Sequence, residues 1–389
     1  MKRILRISLD MLITSIVPIA SWFLLGMILD GNLINIFTLT YPVQFVMASL
    51  KSIFATGANI SKYKDKNENA TESGMMAGLV IGAVVFGLLV ININKYIEFM
   101  EMEISTYRTF AIYAILQMFL QYVLQLVLSK LYYNEENTKA NKISITFNLI
   151  SFVTLICMSL ITKNQYVITM VSLGFLFVYT TVILIKNIDK FKFSLNIFNC
   201  IEYDSVEFFT SLNFIIIYLF GFSNAFHFGE NYILAISFAT LVTDMQWDIC
   251  HAINTVAKVD ISKKKFKYKE HLKNGLILDS MLSLSVIVAT ILLYKIYNVE
   301  LNIALVFIGG EILNLLVYPM YIIKICYLQL EQSALKATVN KEVGNILRTA
   351  MSFAPTPYCT IIGQMLSMIY QLMFVKVSWK KEYNESCKE

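Results

Sequence analysis

Charge is scarce in this chain. Only 15% of its 389 residues are Asp, Glu, Lys or Arg, while 57% are hydrophobic. No segment is both long and polar enough to form an independent soluble domain. Proline is sparse too, with five residues, so long helices can run with few interruptions. Six cysteines (Cys157, Cys200, Cys250, Cys326, Cys359 and Cys387) follow no paired or metal-ligand spacing, and most lie inside apolar runs. That excludes a disulfide scaffold and a zinc module and leaves small core residues. The GxGD sequence of bilayer aspartyl proteases and the zinc-binding HExxH are both missing, so we expect no enzyme and no cofactor beyond a coupling ion.

What the chain has in abundance is apolar runs of 20 or more residues, recurring from end to end. They are the mark of bilayer-spanning helices and predict an all-α polytopic membrane protein. Twelve spans are expected, near 4–29, 33–60, 74–94, 107–130, 143–162, 165–185, 203–226, 231–257, 272–294, 302–329, 341–354 and 357–378. The first is expected to be retained rather than cleaved, because its apolar run continues to Leu29 and holds Asp10. The eleventh is the shortest and is broken by Pro355 and Pro357.

Orientation follows from lysine and arginine. Twenty-five of them fall in alternate connections, against Lys95, Arg108, Lys163 and Lys295 in the others. The bias predicts both termini in the cytoplasm, and the plasma membrane is the expected location. The basic run Lys258 to Lys273 suits anionic headgroups rather than nucleic acid. Residues 191–204 link two six-span halves, 1–190 and 205–389, of the same orientation, so a parallel duplication is expected. A shift of 194 residues lays Gln117 on Glu311 and Lys130 on Lys324, and a shift of 197 lays Lys51 on Asp248.

Against this apolar background a few ionisable residues stand out. Asp244 and Asp248 in span eight cost roughly 5–7 kcal/mol together on insertion scales, more than that span's apolar residues return. With His251 they occupy positions i, i+4 and i+7, one helical face. That face is either a proton- or cation-binding stripe in an aqueous cleft, or a set of buried groups that fixes packing. Lys51 in span two stands at the depth of Asp248, which makes the pair a candidate gate between halves; the alternative is a lysine reaching to the headgroups. Glu311 follows two glycines in "IGGEILNLLVYP". With Pro319 beyond them, these suggest a bent helix whose loosened backbone joins a cation site, or a packing role. A Na⁺ could lie at Asp244 and Glu311. Gln44, Gln117, Gln121, Trp247 and Asn314 are candidate lining for a substrate cavity, although such amides more often bond between helices. Trp22 fits an interfacial anchor, and Arg348 is assigned no site.

With those residues in view, the chain resembles the multidrug and toxic compound extrusion (MATE) family. The resemblance lies in "LTYPVQFVMASLKSIFATGANISKYKDKN" (Leu39 to Asn67), "LAISFATLVTDMQWDICHAINTVAKVDISK" (Leu234 to Lys263) and the hairpin "YLQLEQSALKATVNKEVGNILRTAMSF". It implies two six-helix lobes and export of cationic or amphipathic small molecules in exchange for Na⁺ or H⁺. It also implies cation-coupling acids in spans one, seven and ten. Glu311 matches the span-ten acid. Asp30 lies near the span-one position, though the span around it is shorter, and in span seven only Asp204 and Glu207 are available. The acids of span eight would then carry more of the coupling. A monomer is expected. The competing readings are a flippase for a lipid-linked saccharide, which should line its cavity with arginine and lysine, and a non-transporting membrane scaffold.

Overall fold

The computed structural model describes residues 16–134, 136–188, 194–262 and 266–378. Every regular element among them is helical: α1 (Ile16–Ile28), α2 (Asn35–Lys51), α3 (Ala58–Lys64), α4 (Ala70–Ile91), α5 (Ile93–Phe99), α6 (Ile104–Tyr133), α7 (Asn137–Ile161) and α8 (Gln165–Asn187) come first. Then follow α9 (Ile197–Tyr203), α10 (Ser205–Phe226), α11 (Glu230–Ser262), α12 (Tyr268–Leu293), α13 (Leu301–Tyr327), α14 (Ala334–Ser352) and α15 (Cys359–Phe374). Helices are what the apolar composition demands, since a backbone in hydrocarbon must bond to itself. Eight described helices are long and apolar enough to cross a bilayer, and α1 and α15 are apolar but shorter. Together with the long, more polar α11 and α14, they occupy the twelve expected spans in order. This is a multi-pass, all-α membrane protein.

Among the described residues two compact units are present, one within Val17–Leu219 and one beginning at Phe220. In the first, α6 packs against α2, α4, α7 and α8. Hydrocarbon gives apolar helices no reason to prefer each other over lipid, so small polar side chains do much of the joining. Tyr113 Oη lies 3.2 Å from Ser151 Oγ and 3.1 Å from Ser172 Oγ, and Thr154 Oγ1 lies 2.9 Å from Ser172 Oγ. Asn59 of α3 donates to Ser129 Oγ of α6 at 3.0 Å and accepts from Thr71 Oγ1 of α4 at 3.0 Å. The outer faces are apolar: Val80, Val84, Leu88 and Ile91 form one exposed stripe along α4, as a lipid-facing helix requires. Trp22 is not an interfacial anchor. It is buried, edge-on to Phe110 and Tyr113 at 6.4 Å from each ring, where α1 needs a large side chain to fill its seam with α6.

The second unit packs α11 against α12 and α13, and α15 against α13 and α14. Span eleven is longer than expected. α14 starts at Ala334, seven residues before position 341, capped by the Ser333 side chain accepting from the Lys336 N–H at 3.3 Å. Its first turns carry Lys336, Asn340, Lys341 and Glu342, and that polarity hid the helix from hydropathy. The two prolines do end it. Asn224 of α10 donates to the carbonyls of Ser352 (3.3 Å) and Ala354, acceptors a terminating helix leaves over.

One ion pair in the first unit ties three spans together. Lys130 Nζ of α6 lies 3.2 Å from Glu72 Oε1 of α4, the side chains being 10% and 14% exposed, and it also donates to the Asn187 carbonyl of α8 at 2.9 Å. Removing one member of a buried pair leaves an uncompensated charge. Lys130→Met should therefore destabilise this unit by about 3–5 kcal/mol. The Lys130→Met/Glu72→Leu double variant should recover most of the loss, as read by thermal unfolding in detergent.

Candidate coupling site

The candidate site is built around α13. Glu311, Asn314, Tyr318 and Tyr321 recur at i, i+3, i+7 and i+10 and so share one face. The helix is continuous from Leu301 to Tyr327, through both glycines and Pro319. Gly310 lets α15 come close: a Cβ there would collide with the side chain of Ile361. One turn after Ile361 stands Gln364, and this approach carries its amide to Glu311. A second close approach sets the next neighbour. A Cβ on Gly363 would lie 3.2 Å from Arg348 Cα, so α14 runs against α15 beside Gln364.

The outcome is a polar network drawn from four helices. Trp247 of α11 donates its indole N–H to Glu311 Oε2 at 2.8 Å, and Gln364 of α15 donates to the same oxygen at 3.0 Å. Arg348 of α14 donates to Gln364 Oε1 at 3.2 Å, and its charge also acts on Glu311. Bonds of this kind to a charged group contribute about 1.5–3 kcal/mol each. Asn314 is buried one turn along, and its Nδ2 has no hydrogen-bond partner among the described residues. Tyr318 stands edge-on to Trp247 at 5.7 Å and to Tyr321 at 5.4 Å. The arrangement offers a bound carboxylate, a spare amide donor and an aromatic wall.

α11 supplies the rest of the expected acids. It is one helix from Glu230 to Ser262, so Asp244, Asp248 and His251 do lie on a common face. Asp244 is half-buried, one turn before Trp247; the side chains of Asp248 and His251 fall outside the described residues. The neighbouring faces of α11 are taken. Gln246 donates to Ser285 of α12 at 3.3 Å and Cys250 to Asp279 of α12 at 3.3 Å, while Asn254 Oδ1 accepts from Cys326 of α13 at 2.8 Å. No group of three or more His, Cys, Asp or Glu side chains converges as a metal site among the described residues.

Of the other expected residues, Gln117 is engaged between helices, donating to Ser151 Oγ at 3.0 Å. Gln44 and Gln121 are half-buried. Asp30 caps the short turn Gly31–Ile34, accepting from the Asn32 N–H at 3.0 Å. Lys51 is half-buried at the end of α2, and the acids acting on it are Glu207 and Asp204 of the same unit. Its proposed counterpart Asp248 is among the side chains not described. Beside Lys51, Ser52 donates to Asp204 Oδ2 at 3.0 Å. Nearby, Tyr203 donates to Asp65, and this bond to a carboxylate pushes the phenol up to about 12.

Sequence reasoning missed Gln364, Arg348 and Asp279. Arg348 and Asp279 were visible by the rule that singled out Asp244, an ionisable residue inside a span. Gln364 carried no signal of its own.

No protein-family model matches this sequence, and no curated protein does. Solved structures do. An inward-facing multidrug resistance MATE family transporter of the MOP superfamily is similar over 93% of this chain and 93% of its own, with TM-score 0.70 and 12% identity. An outward-facing one matches over 100% and 97%, with TM-score 0.65 and 12% identity. A MOP superfamily transporter from Pyrococcus furiosus, described by a binding pocket of reverse polarity, matches over 96% and 94%, with TM-score 0.64 and 14% identity.

Trp247 reports on Glu311 directly. With Trp22 and Trp379 replaced by Phe, Glu311→Gln should shift the Trp247 emission, because the indole N–H loses a charged acceptor. Glu342→Gln, elsewhere in the unit, should leave the spectrum unchanged.

Proposed function

From the MATE fold that this chain has, we propose that it is a cation-coupled transporter exporting cationic or amphipathic small molecules by alternating access. The observation that carries this reading is the Glu311 network: a carboxylate deep in a membrane helix, bound by Trp247 and Gln364 and neighboured by Arg348. Such a residue inside a span is costly and marks an ion or substrate path more often than plain packing. Glu311 is the coupling residue in this reading, with Asp244, Asp248 and His251 on the adjoining helix as further proton or cation ligands. H⁺ or Na⁺ competes with Arg348 for the carboxylate, and the aromatic wall of Trp247 and Tyr318 receives the apolar or cationic part of the cargo. Asn314 adds to the proposed lining in the second unit, and Gln44, Gln117 and Gln121 are the proposed lining residues of the first. The lysine and arginine bias supports a plasma-membrane protein with both termini cytoplasmic. We take it to act as a monomer, without enzymatic chemistry and without a cofactor beyond the ion.

A second reading is favoured by one observation. Arg348 places a guanidinium beside the site, and a guanidinium suits phosphate. A flippase for a lipid-linked saccharide or another anionic amphiphile would use it so. The similar structure described by a binding pocket of reverse polarity, which suggests a different function for that protein, supports weighing this second reading.

Proteoliposome transport separates the readings. With Na⁺ and ΔpH varied independently, wild type should move a fluorescent organic cation against one gradient. Glu311→Gln should lower that rate about 10–100-fold, the equivalent of one lost charged hydrogen bond. If the organic cation is never moved while a fluorescent lipid-linked saccharide crosses the bilayer in an Arg348-dependent way, the flippase reading replaces this one.

A further inference from the structure

Asp279 is the most enclosed acid among the described residues. It lies mid-span in α12, within "GLILDSMLSLSVIVA", at 0% exposure. Its Oδ1 accepts from the Cys250 thiol at 3.3 Å, and its Oδ2 has no hydrogen-bond partner among the described residues. A thiol is a weak donor, so one oxygen is poorly served and the other not at all. α11 and α13 both pack on α12. The titratable groups acting on Asp279 from them are Cys250 on α11 and Tyr318 and Tyr321 on α13. No lysine, arginine or histidine among the described residues forms an ion pair with it. On α12 it stands next to Leu278 and one turn before Leu282, which with Cys250 and Ile253 of α11 and Leu315 of α13 belong to one buried apolar core.

An ionised carboxylate so placed is shut off from bulk solvent and has no ion-pair partner among the described residues, and groups in that position take up a proton instead. We propose that Asp279 is a second, buried proton-binding site of the transport cycle. The step is one addition: a proton from solvent joins Oδ2, –COO⁻ becomes –COOH, and no other bond forms or breaks. The new O–H supplies a donor at the one oxygen that lacks a partner. Its place next to the Glu311 network gives the proton a way to be felt there. Cys250 lies on the helix that presents Asp244 and Trp247, and the Tyr318 ring stands against Trp247, which bonds Glu311. Loading or unloading Asp279 therefore changes the charge on the far side of the aromatic pair that walls the site. The role in transport rests on the coupling proposed above; proton binding itself does not.

Infrared difference spectroscopy of the full-length chain in lipid nanodiscs, stepped between alkaline and acid pH, tests it. The expected result is a protonated-carboxyl C=O band that appears on acidification, is lost in Asp279→Asn and shifts in frequency in Cys250→Ser. In proteoliposomes the proton-to-substrate ratio should fall by a whole proton in Asp279→Asn. A band unchanged in Asp279→Asn, or one present at every pH, overturns the proposal, the latter by making Asp279 a permanently neutral packing residue. Should Asp279→Asn fail to fold, the frequency shift in Cys250→Ser still decides. If wild type shows no ion-driven transport at all, the coupling reading falls while the infrared band continues to judge proton binding.

Discussion

A carboxylate within a bilayer-spanning helix persists only if protein supplies what water would have supplied. At Glu311 that supply comes from two N–H donors and a neighbouring guanidinium, each on a different helix. The site therefore depends on how near α11, α14 and α15 approach α13. Gly310 and Gly363 set two of those distances, because a methyl at either would meet Ile361 or the Arg348 backbone. Push α15 outward and Gln364 loses Glu311 on one side and Arg348 on the other. Packing and electrostatics are thus one constraint here, and much of the second unit is arranged so that the carboxylate keeps its partners.

The two units solve the same problem with different chemistry. In the first, the inward polar groups are mostly hydroxyls and amides satisfied by one another, as in the Tyr113, Ser151, Ser172 and Thr154 set, and its buried ion pair, Lys130 with Glu72, is closed by a third helix. Such networks fix helices in place and leave little open for a ligand. In the second, Asn314 Nδ2 and Asp279 Oδ2 are buried without a partner among the described residues. Unsatisfied buried polar atoms are rare and call for an explanation. The first unit holds such atoms as well, Asn35 Oδ1, Thr38 Oγ1 and Thr180 Oγ1, but Asn314 and Asp279 adjoin the proposed coupling site.

Much of the fold was legible because hydropathy and helical period act locally. Order and number of spans came from apolar runs, and the shared face of Asp244, Asp248 and His251 came from spacing alone; α11 is helical through all three. The beginning of α14 was not legible, since its first turns are polar and its cap is a single serine hydroxyl. Trp22 was misread because an amphipathic ring near a helix end suits either an interface or a seam, and only the neighbouring Phe110 and Tyr113 decide. Glu311 was readable as a costly residue, but its partners were not. Trp247 is 64 residues away and Gln364 is 53, and no local pattern links an amide on one helix to an acid on another.

Why should the carboxylate be held by neutral donors as well as by an arginine? A buried pair of opposite charges alone is difficult to open, because separating it strands both ions. Neutral N–H groups from Trp247 and Gln364 bind the carboxylate whether or not a cation is also present. Gln364 further accepts from Arg348, so the guanidinium keeps a partner if its hold on Glu311 weakens. In the proposed cycle this lowers the cost of exchanging Arg348 for H⁺ or Na⁺ at the same acid. A ligand shifts a two-state protein only through its differential affinity for the two states, and an acid whose neutral bonds survive exchange can host either occupant. The same logic explains the amide at position 364. A lysine there would compete with the coupling ion, and a leucine would leave both Glu311 and Arg348 without their shared neighbour.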